Sequence, residues 1–86
     1  MKYHIFYTPF IRFTAEIVYN DLLFEEARAL FITLTSAARL AEGAVSMYNE
    51  NNELVSYYDY DDLGEERIPQ EWQKEISSLS GRAELT

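Results

Sequence analysis

Apolar and polar residues alternate at the start of the chain. From Arg12 to Tyr19, RFTAEIVY places Phe13, Ala15, Ile17 and Tyr19 on one side and Arg12, Thr14, Glu16 and Val18 on the other. A period of two predicts a half-buried strand. The preceding KYHIFYT (2–8) alternates less sharply and stops at Pro9, which lacks the N–H a ladder needs. It is expected to pair with 12–19 through the TPFI turn. The period then lengthens. Between Leu22 and Glu42, the residues Leu23, Phe24, Ala27, Leu30, Phe31, Leu34, Ala37, Ala38 and Ala41 fall in one helical stripe, with Glu25, Arg28, Ser36 and Arg39 opposite. Asn20 or Asp21 is placed to cap this helix, Glu25 and Glu26 to favour its positive end, and Gly43 to close it. Ala29, Ile32 and Leu40 lie off the stripe, where an apolar residue is either tolerated or marks a contact.

After Gly43 the period of two returns. AVSMYNENNELVSYYDY (44–60) predicts a hairpin turning at Asn51-Asn52, because asparagine tolerates the positive φ of a tight turn. Counting outward pairs Tyr48 with Val55, Met47 with Ser56, Ser46 with Tyr57 and Val45 with Tyr58. One face then carries Val45, Met47, Leu54 and Tyr58, and the other Tyr48, Val55 and Tyr57. Both are partly apolar, so the second is either covered by a further element or exposed as a binding surface. IPQEWQKEISSLS (68–80) is a candidate cover, a short amphipathic helix with Pro69 at its first position and Trp72, Ile76 and Leu79 at i, i+4 and i+7. GRAELT (81–86) lacks periodicity and reads as a flexible tail. These elements make one α+β domain over 1–80: an antiparallel sheet of about four strands in the order β-β-α-β-β-α, one main helix packed on it, and a short C-terminal helix.

Composition narrows the function. A chain of 86 residues holds one modest core, and 48% hydrophobic residues suffice to fold it despite a net charge of −8. The chain has no cysteine, which removes disulfides, thiolate metal sites and cysteine nucleophiles. Thr8, Pro9 and Arg12 interrupt the opening before a signal-peptide apolar stretch forms, and no apolar run approaches ~18 residues, so a soluble cytoplasmic protein is expected. Charge is uneven. Residues 1–40 hold four bases and four acids, whereas 41–86 hold three bases and eleven acids. A surface so acidic repels phosphate, excluding direct nucleic-acid binding and favouring a protein partner with a basic surface.

The acids concentrate in SYYDYDDLGEE (56–66), for which several chemistries compete. Against the EF-hand spacing, Asp59, Asp61 and Gly64 fit positions one, three and six, but Leu63 and Gln70 stand where ligands belong. An irregular divalent-cation site from Asp59, Asp61, Asp62 and Glu65 remains as an alternative. Enzymatic roles find little support: His4 is the lone histidine, Gly43, Gly64 and Gly81 form no phosphate loop, and adjacent acids such as Glu25 and Glu26 point different ways. No cofactor is implied. The favoured reading is a partner-binding surface of Tyr48, Tyr57, Tyr58 and Tyr60 with Asp59, Asp61, Asp62, Glu65 and Glu66, in which the rings supply contact area and the acids steer a basic target. A solvated charged loop is the plainer alternative, and a homo-oligomer joined through the second sheet face and Ile32 is a third.

FEEARALF (24–31) followed by EGAVSMYNENNELVSYYD (42–59) resembles, over about residues 12–60, the small β-α-β-β proteins of phages and mobile elements. Some anti-CRISPR proteins are similar in layout. The resemblance implies an inhibitor or DNA mimic, since acidic proteins of that group occupy a nucleic-acid-binding surface on their target. It transfers no residue roles.

Overall fold

Strand β1 (Tyr3–Thr8) lies inside the sheet, with β2 (Ile17–Leu22) and β3 (Ala44–Asn49) on either side. The structure, a computed structural model, describes residues 1–11, 15–62 and 65–85, with side chains as far as residue 79. Helix α1 (Phe24–Ala41) connects β2 to β3, β4 (Leu54–Asp59) completes the hairpin, β5 (Glu65–Arg67) adds a short edge, and α2 (Gln70–Leu85) ends the chain. The sheet order is β2-β1-β3-β4-β5, and every neighbouring pair is antiparallel. The fold is therefore α+β with five strands. The additional strand, β5, is three charged residues long, so no alternation of apolar side chains announced it.

Strand β2 begins later than the alternation of 12–19 suggested; Arg12, Phe13 and Thr14 lie outside the described residues. It also runs through the expected helix cap. Tyr3 pairs with Leu22 and Ile5 with Tyr19, so two steps on β1 face three on β2. This is a β-bulge, and Asp21 takes φ 58 within it. The bulge lets Leu22 reach the core edge beside Tyr3. Leu23 becomes the residue preceding the helix, and its N–H donates to Glu26 Oε1 at 3.0 Å.

Gly43 follows α1, but the left-handed residue is Glu42, at φ 61. Gly43 serves a different need. A Cβ there would lie 2.5 Å from the Thr8 carbonyl oxygen and 2.7 Å from that of Pro9, so only glycine admits the close approach of these backbones. The Gly43 N–H closes the helix by donating to the Ala38 carbonyl at 2.8 Å.

The hairpin turn is longer than the two residues expected. Asn49 and Glu53 pair through their backbones around Glu50, Asn51 and Asn52, the last at φ 61. This is the three-residue loop whose final residue is left-handed. The Asn49 side chain fastens it, accepting from the N–H groups of Asn51 and Glu53 at 2.9 and 3.0 Å. Val45–Tyr58, Ser46–Tyr57 and Met47–Ser56 pair as expected, but a register shift puts Leu54, not Val55, opposite Tyr48. Val55 instead packs against the core.

One face of the sheet meets α1. Ile5, Val45 and Met47 from the strands and Ala27, Phe31 and Ala38 from the helix are buried there. Helix α2 packs chiefly on α1 and, among the described residues, does not cover the second sheet face. Trp72 seats between the rings of Phe31 and Phe24, with centroids 5.8 and 6.1 Å away. Ile32 is thereby buried in the seam between the helices. Arg28 pairs with Glu75 across the same seam at 2.7 Å. Pro69 stands just before the helix, its carbonyl accepting from Trp72 and Gln73, and α2 runs to Leu85. After Gly81, a poor helix former, come Arg82, Ala83, Glu84 and Leu85, which are good ones. Among the described residues, no helix is long and apolar enough to cross a membrane.

Candidate interaction face on the sheet

Side chains alternate across a sheet, so the register that buries Ile5 and Met47 turns their neighbours to the other side. Three rows result there. His4 stands beside Tyr48; Val18, Phe6, Ser46, Tyr57 and Arg67 form the middle row; and Thr8, Ala44, Asp59 and Glu65 form the third. Among the described residues, neither helix packs on this face.

Its rings touch. His4 stacks on Tyr48 with centroids 5.6 Å apart and planes 12° apart, and Phe6 meets both edge-on at 5.4 and 5.5 Å. Such contacts hold the rings against one another in defined orientations. Tyr57 donates its hydroxyl to a Glu65 carboxylate oxygen at 2.7 Å. That bond, reinforced by burial and by the charges of Glu65 and Asp62, pushes the Tyr57 phenol above its usual pKa. At the corner beyond β4, Asp59 accepts from the Asp61 N–H at 2.9 Å, and the Asp62 carboxyl is raised, first by the nearby Asp59 charge. Tyr60 is exposed in the same turn and reaches Glu42 Oε1 at 3.4 Å.

The nine residues singled out by sequence thus divide. Tyr48, Tyr57, Asp59 and Glu65 share the open face, and Tyr60, Asp61 and Asp62 border it in the turn. Tyr58 and Glu66 belong to the opposite face. Tyr58 is buried, the Arg39 guanidinium lies over its ring, and Glu66 pairs with that same guanidinium. Burial raises the Tyr58 pKa, with Arg39 opposing.

Sequence reasoning passed over Phe6 and His4, which with Tyr48 make the ring cluster, and Glu16, which borders the face from the connection before β2. The place of Phe6 and His4 follows from β1 pairing with β3, a partnership made through an intervening helix that no local pattern signals. The four acids of the cation alternative do not make a ligand set: among the described residues, no three His, Asp or Glu side chains are grouped to hold a metal ion.

Among the described residues, two depressions bear on the site. One, of about 370 Å³, lies in the seam between α1 and α2, where Arg28 and Glu75 already neutralise each other. The other, of about 260 Å³, lies on the open sheet face between Phe6 and Tyr57.

No protein-family model matches the chain, and no curated protein or solved structure matches it either. A functional reading therefore rests on the geometry of this face.

Proposed function

We propose that the chain is a small non-enzymatic binding module that engages a basic surface of a protein partner through its open sheet face and the adjoining 60–62 turn. The observation that carries this reading is the placement of the ordered His4–Phe6–Tyr48 rings beside Tyr57, Asp59 and Glu65, on the side away from both helices. Rings held by one another lose little further freedom on binding, and carboxylates at the border steer a basic partner and set its orientation. The concentration of negative charge in 41–86 supports the same reading. Occupation of a surface that otherwise takes phosphates, as an inhibitor or DNA mimic does, is the form of activity such an interface suits.

A tagged chain is to be used for capture from nuclease-treated host lysate with salt-step elution, beside a variant carrying D59N, D61N, D62N and E65Q. Glu66 is left intact because it holds Arg39. A stoichiometric partner released by salt and lost in the variant supports the proposal. Capture that is indifferent to salt and to the four substitutions refutes it.

A further inference from the structure

The depression on the open face has a simple origin. Ala44 and Ser46 succeed each other on the outward side of β3, and both are small, whereas Phe6 and Thr8 on β1 and Tyr57 and Asp59 on β4 stand taller on either side. A hollow is left over the middle strand, walled by two aromatic rings. Glu16, from the connection before β2, and Asp59 each bring a carboxylate to it, and among the described residues no Lys or Arg lines it. The hollow is thus aromatic-walled and, among the described residues, carries two carboxylates and no cationic side chain.

The inner face shows what this pair of strands receives. There Tyr58 on β4 and Glu66 on β5 stand opposite each other, and the Arg39 guanidinium lies over the ring while pairing with the carboxylate. One residue away along each strand, Tyr57 and Glu65 offer the outer face the same ring and carboxylate, already bonded to each other at 2.7 Å. Arg67 stands across from Tyr57 in the row but does not line the hollow.

From this we infer that the hollow between Phe6 and Tyr57 is the receptor for one arginine side chain of the partner, a conclusion that rests on the binding-module reading and gives it a centre. A guanidinium is planar, stacks on rings and binds carboxylates through two parallel donors, whereas an ammonium presents a compact, strongly hydrated charge. Glu16 and Asp59 would take the donors, and Phe6 and Tyr57 the faces.

The test is a titration of the ¹⁵N-labelled chain with N-acetyl-arginine methylamide, and with the lysine analogue, followed by amide chemical shifts. Expected are saturable shifts for arginine confined to Phe6, Ala44, Ser46, Tyr57 and Asp59, with lysine weaker by about threefold or more. The E16Q/D59N variant should bind arginine about tenfold more weakly. The A44L variant, which fills the hollow and alters no charge, should lose the shifts altogether. Shifts that persist in A44L, that spread over all acidic residues, or that are equal for lysine overturn the inference. The two readings fail separately. Salt-sensitive capture of a partner together with a flat arginine titration overturns the hollow and keeps the interface. Arginine shifts abolished by A44L beside capture indifferent to salt and to the four substitutions keep an arginine-binding hollow and overturn its assignment to that partner.

Discussion

The Arg39 guanidinium lies 5.4 Å from the centre of the Tyr58 ring. The same side chain pairs with Glu66 and donates to Gln73 Oε1 at 3.0 Å, so one residue of α1 joins β4, β5 and α2. Replacing it with leucine keeps the aliphatic packing but leaves Glu66 and Gln73 without their donor. A loss of ~1–2 kcal/mol in chemical denaturation is expected, and lysine should restore less than half of it. An unchanged midpoint would show that the three contacts contribute nothing together.

Gly43 and Glu42 should respond in opposite directions. Gly43→Ala drives a methyl group into the Thr8 and Pro9 carbonyls and should cost ~1–3 kcal/mol. Glu42→Gly relieves a left-handed residue at φ 61 and should gain ~0.5–1 kcal/mol. Thermal unfolding of the pair of variants checks both signs.

Among the described residues, the buried hydroxyls of Thr35 and Ser56 find no hydrogen-bond partner. Thr35→Val replaces an orphaned hydroxyl by a methyl group of similar shape and should stabilise the fold by ~1 kcal/mol, a rise in Tm of roughly 4–8 °C for a domain of this size. A lower Tm would mean that the hydroxyl has a partner in solution.

The Tyr57 phenol is held above its ordinary pKa of 10.0, chiefly by its hydrogen bond to Glu65. A raised folded pKa means that the protonated form is favoured by folding. Its contribution is complete below the unfolded value and disappears as pH rises through the higher folded one. Phenolate absorbance should therefore show Tyr57 titrating late, together with the half-buried Tyr7 and the buried Tyr58, and E65Q should move one of these late titrations back toward the ordinary range. Identical titration of wild type and E65Q would place the cause elsewhere.

Asp62 is also raised, first by the Asp59 charge, and here the sign at neutral pH is unfavourable because the ionised form is repelled in the fold. Asp62→Asn should stabilise the chain near neutrality, and the difference should shrink as pH falls through the raised pKa, where the wild-type carboxyl is protonated. A variant less stable than wild type at neutral pH would contradict the repulsion.

Much of this fold was legible in the order of residues. The stripe of Ala27, Phe31, Leu34 and Ala38 marked α1, and the alternation through Val45, Met47, Ser56 and Tyr58 set most of the hairpin register. What escaped notice depended on distant partners. Asp21 has the composition of a helix cap, yet the need to bring Leu22 beside Tyr3 keeps it in a strand. Ile32 reads as a stray apolar residue until α2 is laid against it. The acids of 59–66 read as one cluster because sequence does not show that Glu65 and Glu66 enter a strand and part to opposite faces. Phe6 carried no signal at all, since its role arises only when β1 lies beside β3.

Helix α2 is attached mainly to α1, and the chain's single tryptophan, Trp72, lies in that attachment. Its fluorescence therefore reports the docking of the last helix and is blind to the strands. Undocking is a local opening that the packing allows: Ile76 and Trp72 are released while the β1–β3 and β3–β4 ladders are kept. Amides of α2 should exchange with solvent well before those of β1 and β3, so the terminal helix behaves as a separate cooperative unit riding on a sheet that outlasts it.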